Sequence, residues 1–165
     1  MQAAKDSFYI TLRDRLAALN PARTVTVNGD VRPGMMVVEN EAVSELPRQP
    51  EVFYLEWMEP DAAVWTAASA PLMRLKAVIG YENQGTDATG GQDRGRAMTA
   101  MDDELRSILS PGRCAVHDYT QTPAVDLQQT VFWGAGKWKP VAGKGARLQR
   151  AAEVDVYWPD EEIQQ

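Results

Sequence analysis

Two segments of strict alternation constrain this chain more than any other feature. From Leu72 to Tyr81, Met73, Leu75, Ala77, Ile79 and Tyr81 fall on one side, while Arg74 and Lys76 fall on the other. From Leu148 to Trp158, Val154, Val156 and Trp158 alternate with Glu153, Asp155 and Tyr157. A period of two puts successive side chains on opposite faces of a strand, so both segments read as strands with one apolar face. Such a face needs cover, and two helical patterns supply it. From Lys5 to Leu19, Phe8, Tyr9, Leu12, Leu16 and Leu19 recur at steps of three and four, and Asn20-Pro21 ends the run. From Gln92 to Leu109, Ala97, Met101, Leu105, Ile108 and Leu109 form the stripe, Asp102, Asp103 and Glu104 lie outside it, and Ser110-Pro111-Gly112 stops it.

Further strand signals come in blocks. Arg23 to Val27 is β-branched and runs into Asn28-Gly29-Asp30, which is turn chemistry. Met35 to Val38 follows the Pro33-Gly34 turn, and Glu51 to Met58 is dense in aromatics, with Phe53, Leu55 and Trp57 on one face. Cys114 to Tyr119 and Thr130 to Trp133 complete the set. Strands grouped in blocks, not alternating with helices, predict an α+β fold: a mainly antiparallel sheet with two helices on one face. One structural domain over residues 1–165 is expected. Two polar, glycine-rich stretches, Asn83 to Gly95 and Gly134 to Gly145, read as extended loops, mobile in a monomer and ordered by contacts between subunits. The core should contain Leu12, Leu16, Phe53, Leu55, Leu75, Ile79, Met101, Leu105, Val154 and Val156.

Composition narrows the function. The chain has 165 residues, 44% hydrophobic and 24% charged, the profile of a globular protein. No apolar run reaches the roughly 18 residues that span a bilayer, and the N-terminus lacks a signal-peptide core, so an intracellular, membrane-free protein is expected. The net charge of −6 disfavours nucleic-acid binding as the main role, because phosphate neutralisation needs surplus Lys and Arg. The charge is segregated, however. Thr130 to Arg150 holds five bases and no acids, whereas Ala151 to Gln165 holds five acids and no bases. Blocks of opposite sign suit head-to-tail contact between copies. The candidate contact residues are Lys137, Lys139 and Lys144 against Asp160, Glu161 and Glu162, with Arg74 and Lys76 on the alternating strand next in line.

Catalytic patterns are thin. Cys114 is the only cysteine and His117 the only histidine, too few to complete a zinc site or an oriented nucleophile. Gly85 and Gly90 have phosphate-loop spacing, but Gly91-Gln92 stands where Lys and Ser/Thr belong. Adjacent acids at Asp102-Asp103-Glu104 and Asp160-Glu161-Glu162 splay apart and form no cleft, so they read as a solvated face and an acidic tail. Phe132 to Lys139 mixes aromatics with bases, as single-strand binders do, but Trp133 also reads as a core residue beside an exposed loop or an assembly loop. No enzyme and no cofactor are expected.

Taken together, the N-terminal helix with Leu12, Leu16 and Leu19, the Pro50 to Met58 strand, the polar-faced Leu72 to Tyr81, the Asp93 to Leu109 helix and the closing Ala152 to Tyr157 strand resemble the tail terminator, or tail completion, family of long-tailed bacteriophages. The resemblance covers most of the chain and rests on element order and pattern. It implies a homohexameric ring on the finished tail tube that stops polymerisation and presents a surface to the head-completion, or neck, protein. It further implies a place in the virion after assembly in the bacterial cytoplasm, DNA passing through the ring at most, and no active site. Another head–tail connector or tail-tube component is the nearest alternative; a small ligand-binding or enzymatic α+β domain is the alternative from a different class.

Overall fold

The computed structural model describes residues 1–41, 48–58, 61–64 (as backbone) and 72–159. Two long antiparallel strands form its centre: β6 (Leu72–Asn83) and β11 (Arg147–Pro159), paired from Leu72↔Pro159 to Asn83↔Leu148. Their alternation is the one read from the sequence. Along β11, Ala152, Val154, Val156 and Trp158 are buried and the residues between them half-buried. Strand β4 (Phe53–Trp57) continues the sheet antiparallel to β6 and shares its edge with β5 (Asp61–Val64). Beyond β4, β3 (Met35–Val37) pairs parallel, the one parallel neighbour among the described strands. On the far side β8 (Val125–Trp133) joins β11, and β7 (Gly112–Asp118) joins β8 as the outer strand. The short β9 (Lys137–Trp138) and β10 (Ala142–Lys144) also pair with β11.

Both long helices cover the same face, as an α+β fold of this kind requires. Helix α1 (Gln2–Leu19) contributes Ala4, Phe8, Leu12 and Leu16, and α3 (Arg94–Ile108) contributes Met98, Met101, Leu105 and Ile108. They meet Phe53, Leu55, Leu75, Ala77, Ile79, Val154 and Val156 in one main cluster, and all ten residues named as core from the sequence are buried. Phe8 sits edge-on to both Trp57 and Trp133, at centroid distances of 5.6 and 5.1 Å. Arg15 ties the helices together, donating to the Ile108 carbonyl at the end of α3 at 2.9 Å. A third helix, α2 (Val38–Glu41), is one turn long and was not legible from its pattern.

A separate hairpin of β1 (Thr24–Val27) and β2 (Asp30–Pro33) turns at Asn28-Gly29, both at positive φ, as a two-residue primed turn demands. Its Val25 packs with Met36, Val52 and Tyr54 in a small second cluster on the other side of the sheet.

Several expectations are corrected. Leu19 ends the α1 stripe but is exposed, because the last helical turn runs past its packing partners. Asp102 is buried, not on a solvated face. The stretch after Asn83 is a hydrogen-bonded turn, not a featureless loop. Asp93 accepts from Thr86 N at 2.8 Å, Thr86 Oγ1 at 3.1 Å and Thr89 Oγ1 at 2.6 Å. Gly85 and Gly91 allow it to close: a Cβ on Gly85 would lie 2.9 Å from the Gly91 Cα. Gly134 to Gly145 likewise holds two short strands. Trp138 anchors it, packing on the main cluster with Arg106 5.0 Å over its ring.

Candidate subunit interface

The face of the sheet opposite the helices carries the features that bear on assembly. Alternation places Arg74, Lys76, Val78, Gly80 and Glu82 of β6 on this face, opposite Tyr157, Asp155, Glu153, Ala151 and Gln149 of β11. Register adds Glu56 and Tyr54 from β4, and Phe132 and Arg113 from β8 and β7. Among the described residues, cover on this side comes from the β1–β2 hairpin at the β3–β4 end.

Three acidic centres organise its charges. Glu153 bridges Lys76 at 3.4 Å and Lys139 at 3.1 Å, and these bases hold its carboxyl below the usual range, Lys139 first. Glu82 is buried and takes Arg147 at 3.0 Å and Lys144 at 3.4 Å. Glu56 takes Arg48 at 2.8 Å. The Arg48 guanidinium lies over Gly80, where a Cβ would be 2.8 Å from Nη1. Lys137 stands in register with Glu153 and, among the described residues, has no ion-pair partner. Among the described residues, register and ion pairs place eight bases (Arg48, Arg74, Lys76, Arg113, Lys137, Lys139, Lys144, Arg147) on this face with five acids (Glu56, Glu82, Glu153, Asp155 and, by register opposite Arg74, Asp61). On a chain of net charge −6, the described residues of this face thus carry more bases than acids. Near its β8 end, Phe132 and Tyr157 stack at 5.4 Å with rings 13° from parallel, and Phe132 is exposed.

The sequence-derived residues thus separate. Arg74, Lys76, Lys137, Lys139 and Lys144 come together on one face, which the linear blocks did not reveal. Lys139 and Lys144 are not a free basic patch awaiting a neighbour's acids: each already pairs with an acid of the same subunit. Asp160, Glu161 and Glu162 lie outside the described residues.

Sequence reasoning missed a second constellation, on the covered face. The Tyr81 hydroxyl and Arg150 Nη1 both donate to the carboxylate of Asp102, and Arg150 Nε donates to the Lys139 carbonyl at 2.8 Å. Burial, then Asp102, pushes the Tyr81 hydroxyl well above its ordinary range. The signal was present. Asp102 stands four residues after Met98 and three before Leu105, inside the stripe, and Arg150 has the parity of the inward residues of β11. Likewise Glu104 is not simply solvated: Arg23 grips it through Nε and, at 3.0 Å, through Nη2, while Asn20 donates to it at 2.7 Å.

Among the described residues, Cys114 and His117 are not arranged as a nucleophile and its base. Cys114 is half-buried and burial pushes its thiol up, the reverse of what a nucleophile needs. His117 turns its Nδ1 toward the Ala115 carbonyl at 3.3 Å. No group of three or more His, Cys, Asp or Glu placed to hold a metal occurs among the described residues. A hollow of about 300 Å³ between Arg48, Gly80, Lys139, Gln149 and Arg150 has its cations already engaged by Glu56, Glu153 and Asp102. No protein-family model matches the chain, and no curated protein matches it in sequence.

Proposed function

We propose that this chain is a structural ring protein of the tail-terminator type, closing the end of a phage tail tube and offering a joining surface to the neck. One observation carries the reading: a sheet with strands of 12 and 13 residues is padded by helices on one side and holds a base-rich, aromatic-bearing surface on the other. A face like that on an acidic chain suits contact with other copies or with other acidic proteins more than chemistry on a small molecule. The order of elements, helix then strands then helix then strands, is that of the family it resembles. Another head–tail or tail-tube component uses the same surface logic and is the nearest competitor.

Electron micrographs of tail tubes, grown from the same phage's tube protein with and without this chain, test the proposal. We expect rings of uniform diameter alone and tubes of limited length closed at one end when the chain is present. Unchanged tube lengths together with bare tube ends would overturn it.

A further inference from the structure

The β7–β8 hairpin reaches beyond the rest of the sheet. Every residue from 119 to 128 is exposed. This tip holds Tyr119, Val125 and Leu127, 40%, 41% and 39% exposed, which is three of the nine large hydrophobic residues left exposed among those described. Exposed apolar side chains scattered singly need no explanation, but three within nine residues of a projecting hairpin form an anchor. Its charge is one-sided as well. No Lys or Arg occurs from Cys114 to Gly136, while Asp118 and Asp126 flank the tip. Hydrogen bonds from Thr120 and Gln121 to Asp118, and from the Gln128 N–H to Asp126 at 2.8 Å, shape this tip and leave both carboxylates at the surface. A bulge with Gln128 at positive φ breaks the ladder between Ala115↔Thr130 and His117↔Asp126, so that the pairs at the tip lie beyond it.

Resting on the assembly reading above, we propose that this tip docks on the open face of a second copy of the chain. The occupant is chosen by complementarity. An acidic, apolar tip meets a face where, among the described residues, bases outnumber acids eight to five and where the Phe132–Tyr157 stack offers an apolar platform. Lys137, unpaired within its own subunit among the described residues, is the base for a tip carboxylate to meet. Tip and face are different surfaces, so the contact is heterologous. It propagates from copy to copy and closes into a ring when the rotation permits.

Two variants of the full chain test this. The tip variant carries Val125→Asp and Leu127→Asp; the face variant carries Phe132→Ser and Lys137→Glu. All four side chains are exposed, so both variants should keep the parental fold, checked by circular dichroism, with Leu127→Ala as a milder tip truncation. In sedimentation velocity we expect each variant alone to self-associate at least about tenfold more weakly than the parent. An equimolar mixture should yield one-to-one dimers and nothing larger, because each variant keeps one intact half of the contact. A tip variant that assembles within about twofold of the parent overturns the proposal, as does a mixture that stays monomeric or a parent monomeric at roughly 100 µM. The ring reading is judged separately by tube ends: tubes still capped by a tip variant that assembles normally would sink this contact and leave that reading standing.

Discussion

The two faces of the central sheet handle charge in opposite ways. On the covered face, one acid, Asp102, is met by Arg150 and by the Tyr81 hydroxyl, and the group is closed on itself. On the open face, among the described residues, Glu56, Glu82 and Glu153 are shared among Arg48, Lys76, Lys139, Lys144 and Arg147, and Lys137 has no ion-pair partner. The difference follows from solvent. A buried carboxylate loses its hydration and must be matched locally, because removing one partner leaves an uncompensated charge. Where the open face is exposed, as around Glu153 and its lysines, water and salt screen each pair, so a surplus costs little. Glu82, as buried as Asp102, is the exception on that face and is matched locally by Arg147 and Lys144.

Substitutions in the two faces can break this contrast. On the covered side, Asp102→Ala should destabilise the fold by about 3–5 kcal/mol, and Leu105→Ala by about 2–5 kcal/mol, measured by chemical denaturation. On the open side, Glu153→Ala should cost under about 1 kcal/mol. Equal costs for Asp102→Ala and Glu153→Ala would erase the distinction between a matched interior and a tolerant surface. Acid sharpens it further. The lowered carboxyl of Glu153 means that its contribution is complete above its ordinary value of 4.5 and fades as pH falls through the lowered folded value.

The smallest effect belongs to Asp93, whose carboxyl is held at about 2 by Thr89 first and then by the Thr86 N–H. Its contribution is present above the ordinary 3.8 and lost only as pH drops toward about 2. We expect Asp93→Asn to speed amide exchange at Thr86 without shifting the global midpoint. Unchanged exchange at that amide would mean that the turn is held by its backbone bonds alone.

Where the sequence pattern was long, it specified the structure closely. β6 and β11 run for 12 and 13 residues, enough alternation to separate inward from outward residues. The helical stripes locate Leu12, Leu16, Met101, Leu105 and Ile108 but include the exposed Leu19 and omit the buried Met98 and Asp102. Where pairing segments were short, the pattern had too few residues to show a period. Lys137–Trp138 and Ala142–Lys144 therefore carry no strand signal in a stretch that reads as loop, and the alternation of β8 is legible from Thr130 although the strand starts at Val125. Asp102 differs for another reason: an acid ordinarily faces water, but its spacing sets it in the stripe and Arg150, on an inward position of β11, meets it there. The candidate interface was half legible. Its residues were named, but their gathering onto one face depends on antiparallel pairing between segments some 75 residues apart, such as Lys76 and Glu153, joined at 3.4 Å.

One outer edge of β11 is served in turn by β8 at Trp133, by β9 at Trp138 and by β10 from Ala142 to Lys144. The strand is thus stitched at three separate places instead of being zipped along its length. A residue gained or lost between two stitches disturbs only the stitch beside it, while the pairing of β11 with β6 keeps its register. This flank is accordingly where a lineage can lengthen or shorten the chain without rewriting the middle of the sheet.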